Sequence, residues 1–81
     1  MSVEWAEKFD KQLDATGLAC PLPLLQAKLA LKALQVGQVL QVIATDSGAM
    51  DDFPVFAQQT NNELLKACEI QGCYYFLLKK L

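Results

Sequence analysis

Histidine is absent from this 81-residue chain, and so is arginine: all seven basic residues are lysines. Without histidine no Cys-His pair can form, so a reactive cysteine would have to be activated by its surroundings or by a partner. A closed zinc site would need a fourth ligand beside the three cysteines at 20, 68 and 73, so no metal is expected. A net charge of -2 and the lack of arginine argue against a dedicated nucleic-acid binder, and any link to RNA should run through another protein. No apolar run approaches the roughly 18 residues that span a bilayer. The segment Met1 to Asp10 carries charges where a signal peptide would be apolar, so a cytoplasmic location and no membrane contact are expected. Three cysteines, an odd number, make no disulfide framework, as fits a compartment where thiols stay reduced.

What is present is apolar. The hydrophobic fraction of 53% is high for so short a chain, which points to a very apolar core and to apolar surface left over for a partner. The length allows a single domain with little room for an enclosed active-site cavity. Residues 1–10, with Trp5 and Phe9 four apart, read as one loose helical turn or a mobile lead-in, and residues 11–81 as the domain.

Along that domain Lys11 to Ala15 alternates as a short strand, broken by Thr16-Gly17. The spacing from Pro21 to Gln35 predicts a helix, with Pro21 at its first position, Cys20 as its cap and Gly37 closing it. That helix has two apolar stripes: Leu24, Ala27, Leu31 and Leu34 on one side, and Leu22, Leu25, Leu29 and Ala33 nearly opposite. Only one can face a sheet. Val39 to Thr45 reads as a buried central strand. Asp51 and Asp52 before Phe53-Pro54 predict a second helix, capped by a carboxylate, with proline in its first turn and its end near Thr60, where Asn61-Asn62 stops it. Glu63 to Glu69 and Cys73 to Lys80 read as strands joined by a turn at Gln71-Gly72. The order strand, helix, strand, helix, strand, strand gives an open sheet with both helices on one face.

The chemistry concentrates at Cys20. A cysteine at a helix start lies near unpaired N–H groups and the positive end of the helix dipole, both of which favour thiolate. Pro21 and Pro23 remove two first-turn donors, leaving mainly the N–H groups of Leu22 and Leu24, but their fixed φ angles hold the turn rigid and present the sulfur outward. The plainer alternative is a small buried hydrophobe beside a proline-started helix.

The run Leu13-Asp14-Ala15-Thr16-Gly17-Leu18-Ala19-Cys20-Pro21-Leu22-Pro23 resembles the signature of the TusA family of sulfur carrier proteins, also called SirA-like, whose hallmark is Cys-Pro-x-Pro opening the first helix. The similarity continues through Gly37, the Asp46 turn, Asp52-Phe53-Pro54, Glu63-Leu64-Leu65 and Tyr74 to Lys80. It implies an α/β (α+β) two-layer sandwich of βαβαββ order with a four-stranded mixed sheet. It also implies a sulfurtransferase-type carrier with Cys20 as the persulfide-bearing residue, shaped by Pro21, Pro23 and Gly17. Its sulfur would come from a cysteine desulfurase or a rhodanese-like donor and pass to an acceptor sulfur-relay protein. The pathways implied are tRNA thiolation, molybdenum-cofactor maturation and sulfur oxidation. No separate cofactor is implied, since the sulfur is carried covalently, and the expected state is a monomer or weak homodimer.

The resemblance also selects the inner stripe. Family members tend to be apolar at Leu24, Ala27, Leu31 and Leu34 and more polar at Leu22, Leu25 and Leu29, so the last three are expected to form an exposed ridge that docks a partner, unless Trp5 and Phe9 cover it. The chain departs from the pattern at Thr45, where a second aspartate is frequent, at Ser47, at Asp51, and at Lys79-Lys80, where Arg-Lys is common. Together these departures make the surface less basic than in carriers that serve tRNA thiolation.

The remaining candidates read as structural. Cys68 and Cys73 flank the hairpin turn, where direct pairing could bring them close as a disulfide or second relay, but ordinary strand cysteines are favoured. Asp46 is read as a turn former and Tyr74-Tyr75-Phe76 as a packed aromatic strand. Two other functions compete with the carrier: a regulatory interaction module in which Cys20 is only a helix cap, and a thiol redox protein, disfavoured because there is no Cys-x-x-Cys pair.

Overall fold

The computed structural model describes residues 9–19 and 21–81. The expectations placed on Trp5 and on Cys20 itself therefore fall outside the described residues. The elements run β1 (Lys11–Ala15), α1 (Leu22–Lys32), β2 (Val39–Ala44), α2 (Ala49–Gln59), β3 (Asn62–Ile70) and β4 (Cys73–Lys80). They form one mixed sheet in the order β1-β2-β4-β3, with β1 and β2 parallel and the other neighbours antiparallel.

Alternation along each strand decides which residues meet the helices. Leu13 pairs with Val42 and Ala15 with Ala44 across β1 and β2. Leu40 pairs with Leu78 and Val42 with Phe76 across β2 and β4. These side chains join Ala27 and Leu31 of α1 and Phe53, Phe56 and Ala57 of α2 in a single core, so both helices lie on the same sheet face. At its centre the ring of Phe53 stacks on Phe76 at 4.4 Å between centroids and meets Phe56 edge-on at 5.6 Å. Each fully buried phenylalanine contributes roughly 1.5–3 kcal/mol.

The residues between them turn to the opposite face. There Gln12 donates to Gln41 at 2.6 Å, and Gln41 and Leu77 are shielded to 5% and 2% exposure although neither belongs to the helix-side core. Tyr74 and Phe76 pack on the helix side, in keeping with a structural aromatic strand.

The turns follow their residues. Gln71 and Gly72 both have positive φ, 51° and 83°, the pattern of the tight hairpin turn that matches strand twist. Asn61, at φ 58°, leaves α2 in the left-handed conformation expected of it. A bulge between Leu64 and Lys66 interrupts the β3–β4 register and leaves Leu65 exposed.

Both helices begin elsewhere than their sequence signals suggest, and α1 also ends early, whereas α2 ends at Gln59 with Thr60 as its cap, as expected. The cap of α1 is Pro21, with no side-chain hydrogen bond, so Cys20 precedes the cap and Pro23 takes the second helical position. The Leu22 N–H goes to the Ala19 carbonyl at 2.9 Å, a tight turn that delays the first α-type bond to Leu25 N–H and Pro21 O at 3.1 Å. At the far end α1 stops at Lys32 rather than Gln35. The Ala33 and Leu34 amides bond three residues back, and Lys80 Nζ reaches across to the Leu34 carbonyl at 2.7 Å and the Lys32 carbonyl at 3.4 Å. A cation at the negative end of a helix satisfies carbonyls that would otherwise be left unpaired. Gly37, at φ 92°, serves the turn into β2, where its N–H meets the Lys80 carbonyl.

Helix α2 starts at Ala49 after Gly48, two residues ahead of the expected carboxylate cap, and no side chain caps it. Asp51 and Asp52 lie within its first turn, near the positive end of the dipole, and their amides both bond the Gly48 carbonyl. Pro54 is consequently interior, and it is tolerated on the exposed side, where water can pair the carbonyl it leaves behind.

Candidate functional site

The chain leading to position 20 leaves β1 from Ala15, which is fully buried and paired with Ala44. Three successive amides are then satisfied in three ways. Thr16 N–H donates to Asp14 Oδ1 at 3.0 Å, with the Thr16 hydroxyl donating to the same oxygen at 2.6 Å. Gly17 N–H donates to Thr45 Oγ1 at 2.8 Å, and Leu18 N–H to the Ala15 carbonyl at 3.2 Å. Gly17 makes this turn at φ 81°, a conformation that other residues enter only with strain. The two Thr16 bonds hold the Asp14 carboxyl below the usual carboxylate range.

Leu18 packs partly into the core and Ala19 is exposed; on the other side of position 20, Pro21 and Leu22 are exposed while Pro23 is fully buried. The described chain on both sides of Cys20 is thus at the surface, and buried Pro23 anchors the first turn. The Leu22 N–H, expected to be among the donors left for a thiolate, is already taken by Ala19.

Leu22, Leu25 and Leu29 are exposed at 45%, 50% and 55%, while Ala27 and Leu31 are buried, so the stripe turned outward is the one the family resemblance selected. All three thus lie on one exposed face of α1. Leu22 and Leu25 border a groove of about 410 Å³ between the helices, with Pro21, Leu24, Lys28, Phe56, Gln59 and Thr60; Leu29 stands outside it. A smaller groove of about 230 Å³ shares Lys28, Phe56 and Thr60 and continues past Lys32 and Lys80. Among the described residues neither is lined by Asp or Glu. Sequence reasoning missed the α2 contribution, because nothing local marks Phe56, Gln59 and Thr60 as facing a gap between helices.

The other sequence candidates lie elsewhere. Cys68 is opposite Tyr75 and Cys73 opposite Ile70, so the two are not directly paired, and both are free and half-buried. They sit on the sheet face away from the helices, with the sheet between them and the start of α1. The Asp46 carbonyl accepts the Ala49 amide in the turn that opens α2. Among the described residues no cluster of three or more His, Cys, Asp or Glu could hold a metal ion, and no helix is long and apolar enough to cross a membrane.

Comparison with known proteins agrees with this arrangement. Residues 11–80 match the family model described as sulfurtransferase TusA. The chain is 57% identical over 72 residues to the sulfur carrier protein TusA of Allochromatium vinosum, covering 89% of this chain and 95% of the relative. It is 39% identical over 71 residues to the sulfur carrier protein TusA of Pseudomonas putida, covering 88% and 89%. Its fold resembles the crystal structure of a SirA-like protein from Desulfitobacterium hafniense, with a TM-score of 0.75, 21% identity, and coverage of 86% of this chain and 96% of the other. A strand, a glycine turn and a Cys-Pro-x-Pro segment leading into α1, on a βαβαββ sheet matched over residues 11–80, place this chain in the TusA family of sulfur carrier proteins.

Proposed function

We propose that Cys20 carries sulfane sulfur as a persulfide, taken from a cysteine desulfurase or rhodanese-like protein and handed to an acceptor sulfur-relay protein. Its thiolate attacks the outer sulfur of the donor's persulfide. A new S–S bond forms on Cys20, the donor's S–S bond breaks, and the donor sulfur leaves as thiolate, with no net oxidation. The acceptor's thiolate then repeats the exchange on Cys20. The relay needs no separate cofactor, works between proteins in the cytoplasm, and feeds a pathway of the tRNA-thiolation, molybdenum-cofactor or sulfur-oxidation type.

The observation that carries this reading is the Cys-Pro-x-Pro segment at the entry to α1 in a chain that matches the TusA model over residues 11–80. Further support comes from the exposed residues that flank position 20 and from Leu22, Leu25 and the adjoining groove, an apolar surface for a protein partner. Leu29 extends that exposed surface along α1.

Incubation with a cysteine desulfurase and cysteine, followed by intact mass measurement without reductant, should show a gain of one sulfur, about 32 Da, that is absent in Cys20→Ser. An unchanged mass would instead favour the interaction module, and a loss of two protons the redox protein.

A further inference from the structure

We propose that Thr45 is a positioning residue for the sulfur-carrying loop: by accepting the Gly17 N–H, its hydroxyl oxygen fastens the β1–α1 connection to the β2–α2 connection and so fixes where the chain delivers position 20. The functional meaning of this role rests on the persulfide reading above. Of the three amides that follow β1, those of Thr16 and Leu18 bond within their own turn, whereas that of Gly17 reaches a different segment, 28 residues away in sequence. The reach is short because Ala15 and Ala44 are partners in register, so the two connections leave the sheet side by side.

Thr45 is exposed, lies beyond the last residue of β2 and belongs to no core cluster, so packing gives no reason for its side chain. What it supplies is a neutral acceptor on a β-branched side chain with restricted χ1. Water can replace that acceptor at an exposed amide, so the bond adds little to stability. Placement is another matter. Cys20 is three positions beyond Gly17, a reach of at most about 11 Å between Cα atoms. Leu18 is packed into the core between them, and buried Pro23 holds the other side. A thiol that must meet another protein's sulfur is sensitive to displacements of about 1 Å. Freeing Gly17 would loosen the hold on position 20 at the start of α1, where the positive end of the helix dipole favours thiolate.

Two variants separate placement from stability: Thr45→Val keeps the shape and removes the acceptor, and Thr45→Ser keeps the acceptor. In Thr45→Val, Gly17 amide exchange followed by NMR should quicken about tenfold. The pH midpoint of Cys20 alkylation by iodoacetamide, read peptide by peptide, should rise by about half a unit, and sulfur loading from a cysteine desulfurase should slow several-fold. Thr45→Ser should stay within about twofold of wild type in both rates and keep the wild-type midpoint. A merely structural bond would shift the melting temperature and leave the alkylation profile in place. The proposal is overturned if Thr45→Val keeps the wild-type alkylation profile, or if Thr45→Ser loses as much as Thr45→Val. Failure of the wild-type protein to take up sulfur would overturn the persulfide reading alone, since the alkylation profile still decides the role of Thr45.

Discussion

The two helices have the same length, eleven residues, yet they use their apolar side chains in opposite ways. Helix α2 sends Phe53, Phe56 and Ala57 into the core, and among its large apolar side chains only Val55 is markedly exposed. Helix α1 gives the core Ala27, Leu31 and the ring of Pro23, while Leu22, Leu25 and Leu29 stay outside. Bulk on the inner side of α2 fills the space that small residues on α1 leave, which frees leucines for display. One helix anchors the sheet and the other presents a surface next to Cys20.

The sharpest way to break this contrast is to empty the anchoring side. Phe53→Ala removes the ring stacked on Phe76 and should cost about 3–5 kcal/mol in urea unfolding. The display side should behave differently. Leu25→Glu and Leu29→Glu should each leave stability within about 0.5 kcal/mol of wild type, while slowing sulfur transfer from a cysteine desulfurase. Leu25→Glu should have the larger effect, because Leu25 borders the groove and Leu29 does not. Wild-type transfer in both would remove the docking role.

The smallest effect should come from Asp14, on the sheet face away from the helices. Its carboxyl is held low by Thr16, so its contribution is present above the unfolded-state value and is lost as pH falls through the lower folded-state value. Asp14→Asn should therefore be slightly less stable than wild type near neutrality, with the gap closing below about pH 4 in acid titration.

Much of this division was legible in the residues. β1 occupies the stretch that alternation indicates, β4 the strand expected from Cys73 to Lys80, and Gln71-Gly72 turns the hairpin as its composition suggests. Two leucine stripes on α1 could not both be inward, and the family resemblance picked the right one. Helix ends were less legible because they were settled by distant or backbone partners. Lys80 closes α1 from another strand, and the Asp46 and Gly48 carbonyls start α2 before its acidic residues. Pro54 looked like a first-turn signal and is instead an interior residue, tolerated because it faces water. At the candidate site, Thr45 stood out only as a departure from a pattern. Its link to Gly17 depends on the Ala15–Ala44 register, which no local stretch of sequence encodes.

The break between Leu64 and Lys66 has a consequence for how such a chain keeps company. β3 is one of the two edges of the sheet and the longer, nine residues, and an unbroken edge of that length would be a template for a neighbour's backbone. The misstep in its ladder, with Glu63, Lys66 and Glu69 along it, spoils that template. A neighbour meeting this edge finds charged side chains and a broken row of backbone donors and acceptors in place of a continuous ladder to extend.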